Sequence, residues 1–228
     1  MLPWVELGRA TVPGEADALV LLQRGTEYVI RLGTSALMSS TAHGSEEALA
    51  ELACAPFGSY GDARVLIGGL GMGFTLAAAL RSLPATARVE VAELVPAVVE
   101  WNRGPLAHLA GTPLADPRVT VHAGEVGRMY HGLDGAYDSI LLDVDNGPDG
   151  LTRAGNDWLY SLEGLRAALR ALKGGGVFGV WSVAPDEAFT QRLRQVGFAV
   201  DAKVIRARRN RGGRHTLWLG TKPAGRRR

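Results

Sequence analysis

The sequence contains one cysteine, Cys54, in 228 residues. A single thiol excludes an internal disulfide and a cysteine-based zinc site. Its neighbours Leu52 and Ala55 assign it to core packing. No stretch approaches the roughly 18 uninterrupted apolar residues that a membrane span requires. The opening segment, Met1-Leu2-Pro3-Trp4-Val5-Glu6, lacks the basic run followed by an apolar one that marks a secretory leader. A cytoplasmic location without membrane contact is the expectation. Histidines are few, and His108, His131 and His215 have no ligand-like partner at a fixed spacing, so no metal is expected. Acidic residues are missing altogether after Asp201, a stretch that holds 10 of the 25 basic residues. Residues 1–201 therefore carry 15 basic against 23 acidic residues, a net −8. Such a tail can attract anions. No aromatics are interleaved with its arginines, however, and a stacking surface for single-stranded nucleic acid is not expected.

What is present is an ordinary globular composition, with 46% hydrophobic and 21% charged residues, enough for one well-buried domain. From Ala63 onward apolar runs alternate with helical patterns. Arg64–Ile67, Arg88–Ala92, Val119–His122, Ser139–Leu142 and Val177–Trp181 read as strands. Thr75–Leu83, Val95–Asn102, Leu159–Leu172 and Asp186–Val196 read as helices, the third closed by Gly174-Gly175-Gly176 and the last by Gly197. Phe198–Ile205 and His215–Gly220 look like two further strands, antiparallel across an arginine-rich loop. Upstream, Ala18–Gln23 and Thr26–Arg31 flank Arg24-Gly25 as a hairpin, and Ser45 is the expected N-cap of a helix ending at Cys54. The fold class is thus α/β: a Rossmann-like, doubly wound, mostly parallel sheet over residues 43–228 with an antiparallel C-terminal hairpin. A small β extension over residues 1–42 precedes it.

The strongest local signal is Val65-Leu66-Ile67-Gly68-Gly69-Leu70-Gly71-Met72-Gly73-Phe74, a strand running through a glycine-rich turn into a helix. Glycines permit the turn and let a ligand approach the backbone closely. Glu93 follows 20 positions after Gly73 at the end of the next strand, where a carboxylate accepts the hydroxyls of an adenosine ribose. The spacing Gly69, Gly71, Gly73 lacks the third glycine of a dinucleotide site, and Glu125 after the third strand is placed to meet an adenine amino group. This combination favours an S-adenosyl nucleotide over NAD. The nucleotide contacts are expected from Gly68, Gly69, Gly71, Gly73, Glu93 with its neighbour Leu94, Glu125 with its neighbour Val126, and Asp143. Asp143 and Asp145 close the fourth strand, at the crevice end of an open sheet, and are the catalytic candidates. Asp145, Asn146 and Asp149 also suit a turn. Trp158, after this turn, is a candidate lid, and His43 a candidate for the mouth of the site.

In their order along the chain these motifs resemble the spermidine synthase (polyamine aminopropyltransferase) family. The resemblance implies a Rossmann-like domain behind a small β domain, a decarboxylated S-adenosylmethionine donor, a small-molecule acceptor and a homodimer. It implies that Glu93 holds the ribose, Glu125 the adenine, and that Asp143 is the catalytic aspartate. The chain departs from the family where polyamine is bound. Gly71 stands in place of the aspartate that holds the aminopropyl ammonium, Asn146-Gly147 in place of Asp-Pro, and the family's Tyr-His-Glu on the preceding helix is missing, with only Glu46-Glu47 nearby. Gly71 leaves room and a backbone amide for the carboxylate of intact S-adenosylmethionine. Methyl transfer to nitrogen or oxygen of a small acceptor is therefore the leading expectation. Aminopropyl transfer, with Asp145 as the replacement carboxylate, is the alternative. Two further alternatives are RNA methylation through residues 206–214 and a nucleotide-sensing module without turnover.

Overall fold

The computed structural model describes residues 2–59, 61–144, 148, 157–208 and 211–225. Four strands open the chain: β1 (Val5–Thr11), β2 (Ala18–Arg24), β3 (Glu27–Leu32) and β4 (Ser35–Ser39), antiparallel in chain order. The hairpin legible in the sequence is β2–β3. Its outer partners are less legible, because β1 is exposed along most of its length and shows no apolar alternation. After helix α1 (Gly44–Cys54) come β5 (Arg64–Gly68), α2 (Phe74–Ser82), β6 (Arg88–Glu93), α3 (Pro96–Arg103), β7 (Val119–Ala123) and α4 (Val126–Tyr130). Then follow β8 (Tyr137–Leu142), α5 (Asp157–Tyr160), α6 (Leu162–Ala171), β9 (Leu172–Ser182), α7 (Glu187–Val196), β10 (Ala199–Arg208) and β11 (Arg211–Thr221).

The second sheet has the order β10-β11-β9-β8-β5-β6-β7, with the five strands from β9 to β7 parallel and the β10–β11 hairpin antiparallel. Its strands alternate between two cores. Val65 and Ile67 of β5 pack with α1, α2 and α3, whereas Leu66 packs on the other face with α4, α6 and α7. A strand covered on both faces reads as one apolar run, which is why these strands were visible in the sequence. Leu21 and Ile30 of the small sheet join the α1–α3 core, so the two sheets share apolar packing. Strand order reverses between β5 and β8, and in such sheets the ligand crevice opens beyond the strand carboxyl ends at that point.

Local readings differ from the structure in three places. The helix expected over Leu159–Leu172 breaks in two, because the Ser161 hydroxyl caps α6 by accepting the Gly164 N–H at 3.2 Å. Gly174 to Gly176 lie inside β9, where the β8–β9 register shifts between Tyr137 and Ser139. The arginine-rich segment is hairpin rather than loop: Arg206 pairs with Arg214 and Arg208 with Arg211. No helix among the described residues is long and apolar enough to cross a membrane.

Asp138 ties three strands of the large sheet. Its Oδ2, on β8, accepts the Arg64 backbone N–H of β5 at 2.8 Å and the Lys173 Nζ of β9 at 2.7 Å. The carboxylate is buried, so its removal orphans a backbone donor as well as losing a charged bond. Asp138→Ala is expected to lower unfolding stability by about 2–4 kcal/mol. Asp138→Asn, which keeps an acceptor for Arg64, should lose roughly half as much. Denaturant titration of both variants measures the difference.

Candidate active site

The glycine loop is wedged between two strand ends. Gly69 sits at φ +86°, and a Cβ there would collide with the Asp143 carbonyl oxygen. The Gly69 N–H donates to the Ala92 carbonyl at 2.9 Å, and the Asp143 N–H donates to the Gly68 carbonyl at 2.9 Å. Glu93 holds the loop from its other side. Its Oε2 accepts the Leu70 N–H at 2.9 Å and its Oε1 the Val95 N–H at 2.8 Å. Burial pushes the Glu93 carboxyl above its ordinary range, and the backbone donors at Val95 and Leu70 oppose that shift. A carboxylate has about four acceptor positions. The backbone donors of Val95 and Leu70, with a smaller contribution from Leu94, leave capacity for a further donor from the cavity.

The cavity holds about 1290 Å³ of space between atoms, open solvent at its mouth included. Its floor is the loop Gly69–Met72. One wall is Glu93, Leu94 and Val95, another Gly124, Glu125 and Val126, and Asp143 and Val144 close the β8 end. The small sheet forms a roof with Leu19, Leu32, Leu37 and Met38, and α1 contributes Glu46. Glu46, Glu93, Glu125 and Asp143 thus face one space, and no lysine, arginine or histidine among the described residues lines it.

Two of these carboxyls perturb each other. Glu46 is pushed up to about 7, first by burial and then by the charge of Asp143. Asp143 is pushed up to about 6 by burial, opposed by the Thr75 hydroxyl that donates to its Oδ2 at 2.5 Å. The two carboxyls titrate as a pair. Opposed acids with raised proton affinity are what a site uses to take a proton from a substrate or to hold a cation.

Of the residues expected at the nucleotide, Gly69, Gly71, Glu93, Leu94, Glu125, Val126 and Asp143 line the cavity. Gly68 and Gly73 do not. Gly68 ends β5 against the Val126 side chain, and Gly73 is the left-handed N-cap of α2 beside Asn102. Asp145 lies outside the described residues. The space over Gly71 is not free either, since a Cβ there would meet the Met38 Sδ at 3.0 Å. Trp158 packs against Gly127 and Tyr130 rather than over the cavity, and His43 stacks on Phe74 at 3.9 Å. Glu46, Thr75 and Trp181 were not expected at the site. Trp181 stands near the carboxyl end of β9, the position that signals a crevice residue. Glu46 carries no such local signal.

Ser45 is not the cap of α1. His43 occupies that position, and the Ser45 hydroxyl turns inward to Glu46, Trp181 and His215.

Because both raised carboxyls bind protons more tightly folded than unfolded, their contribution to stability is full at low pH. It is lost as pH rises from the ordinary carboxylate range through 6 and 7. Glu46→Gln removes one of the two charges. Its melting temperature should match that of the parent near pH 5 and exceed it increasingly toward pH 8. Scanning calorimetry at both pH values reads the difference, and a pH-independent offset would show that the proton affinity of Glu46 is not raised.

No protein-family model matches the chain. A curated relative, the polyamine aminopropyltransferase of Nitrosomonas europaea, is 35% identical over 129 residues, which cover 56% of this chain and 38% of that protein. The matched stretch thus spans well under half the relative's length. The spermidine synthase of Thermotoga maritima superposes with a TM-score of 0.74 at 18% identity, covering 95% of this chain and 72% of that one. A spermidine synthase in complex with the transition-state analogue AdoDATO gives 0.73 at the same identity and coverage. An O-methyltransferase family protein of Burkholderia thailandensis gives 0.56 at 18% identity, over 80% of this chain and 56% of that one. In fold the chain is spermidine-synthase-like, a methyltransferase-type α/β sheet joined to a small N-terminal β sheet, and in sequence it is similar to a polyamine aminopropyltransferase.

Proposed function

We propose that this protein transfers an aminopropyl group from decarboxylated S-adenosylmethionine to a small amine. The observation that carries the proposal is the charge of the cavity lining, where the carboxyls of Glu46, Glu93 and Asp143 meet and no lysine, arginine or histidine among the described residues joins them. A cationic donor and a cationic acceptor suit that lining. A donor carboxylate would enter against like charges, which is unfavourable in a partly buried site. This argument, with the aminopropyltransferase relative, outweighs the one from Gly71 that favoured methyl transfer. The Met38 side chain narrows the space beside Gly71, where a donor carboxylate was expected.

In the proposed arrangement Glu93 receives the ribose hydroxyls, and Leu94 and Val126 flank the adenine, whose amino group meets Glu125. Glu46 and Asp143 lie toward the reacting centre. The acceptor enters as an ammonium and gives one proton to this pair. Its freed amine then attacks the methylene carbon next to the sulfonium: the new C–N bond forms as the C–S bond breaks, and the electron pair returns to sulfur. The products are methylthioadenosine and a lengthened polyamine, with one proton released per turnover. Holding the amine in line with the C–S bond supplies much of the acceleration.

Two measurements test this reading. Decarboxylated S-adenosylmethionine is expected to bind at least about tenfold more tightly than the intact form in calorimetry, a difference of about 1.4 kcal/mol. With putrescine it should yield methylthioadenosine. Equal or tighter binding of the intact donor, with a methylated product and S-adenosylhomocysteine, would instead establish methyl transfer. Glu93→Ala is expected to weaken donor binding roughly 10- to 100-fold through lost charge-assisted bonds of about 1.5–3 kcal/mol. Unchanged affinity would remove Glu93 from the ribose.

A further inference from the structure

Behind the cavity, four side chains from three distant segments of the chain form one hydrogen-bonded cluster. The Ser45 hydroxyl lies 2.8 Å from Glu46 Oε2 and 2.7 Å from His215 Nδ1, and the Trp181 Nε1–H donates to it at 3.0 Å. Ser45 is fully buried, Glu46 and Trp181 line the cavity, and His215 on β11 is partly exposed. The line therefore runs from the cavity to the protein surface through a single hydroxyl.

We propose that Glu46, Ser45 and His215 form a proton relay that carries the proton released by the acceptor out of the cavity. The proposal rests on the transfer reading above, which requires one proton to leave per turnover. Two arrangements of hydrogens satisfy every donor in the line. With Glu46 ionised, Ser45 donates to Glu46 and accepts from Trp181 and from His215 Nδ1–H. With Glu46 protonated, Glu46 donates to Ser45, which donates in turn to a bare His215 Nδ1. A proton arriving on Glu46 passes to Ser45 Oγ as the hydroxyl's own proton moves to Nδ1. The ring, already protonated at Nε2, becomes imidazolium and releases that Nε2 proton to water. The starting tautomer is restored between turnovers when the partly exposed ring swings away from Ser45 and its Nδ1 proton exchanges with water. Trp181 donates in both arrangements and so holds the hydroxyl oxygen in place. Burial lowers the proton affinity of His215, which keeps the ring neutral and ready to pass a proton on. The ionisable groups acting on Glu46 are Asp143 and Glu47, and Glu47 is also paired with Arg81 at 3.1 Å and with His43 at 3.3 Å.

Nitrogen-15 NMR of the His215 ring reads the relay without any turnover. As pH rises through the range in which Glu46 ionises, Nδ1 is expected to change from bare to protonated, and the change should vanish in Glu46→Gln and in Ser45→Ala. A single tautomer throughout in the parent protein would overturn the relay. In turnover, Ser45→Ala and His215→Ala should each lower kcat at least about tenfold. KM for both substrates should stay within about twofold, and imidazole in the buffer should restore His215→Ala. Unchanged kcat, or loss that imidazole does not relieve, would make the line structural only. If the parent protein is idle with amine acceptors while His215 still switches, aminopropyl transfer fails and the relay stands.

Discussion

Everything at this site hangs on the buried carboxylate of Glu93. By accepting the N–H of Leu70 on one side and of Val95 on the other, it fastens the glycine loop to the turn between β6 and α3. The loop has little freedom elsewhere, since Gly69 lies directly against the Asp143 carbonyl. Three strand ends, those of β5, β6 and β8, are thereby held in one arrangement. A charge buried at this position is costly, and its two backbone donors offset part of that cost. The same carboxylate keeps unused acceptor positions toward the cavity. It can therefore organise the loop and receive a ligand together.

The cavity itself is built on repulsion. Glu46 comes from α1 and Asp143 from the end of β8; burial raises the cost of ionising both, and the charge of Asp143 adds to that cost at Glu46. Such a pair costs stability near neutral pH, and a bound cation would relieve it. Thr75 lowers the proton affinity of Asp143 by hydrogen bonding, while Ser45 does the same for Glu46. The two acids are therefore supported by different elements and are free to take different roles.

The solved structures that superpose on the chain show why fold alone does not decide the chemistry. One sheet topology is shared by proteins named for aminopropyl transfer and one named for methyl transfer. What separates those reactions is the charge of the donor's side arm, and that is sensed by few residues. Met38 beside Gly71, Glu46 on α1 and the absence of lining cations among the described residues support the proposed aminopropyl transfer. The small sheet matters here, because Met38 belongs to it and its roof residues share the core of the larger sheet.

Much of this protein is written locally. Periodicity marked the buried strands, glycine spacing marked the loop, and the interval to Glu93 marked a carboxylate beside that loop, because each is a short-range consequence of backbone geometry. Seven of the expected nucleotide residues do line one cavity. What the sequence left undetermined depends on contacts between distant segments. Ser45 has the residue type of a helix cap, yet packing carries its hydroxyl to His215, 170 residues away, and to Trp181 on β9. Gly71 has the composition of an open space, yet β4 places a methionine sulfur over it. Glu46 reads as one more acid in the first turn of a helix. Only the docking of α1 against β8, β9 and β11 brings it into the same cavity as Asp143, for burial and charge repulsion arise from tertiary neighbours and leave no periodic trace in the chain.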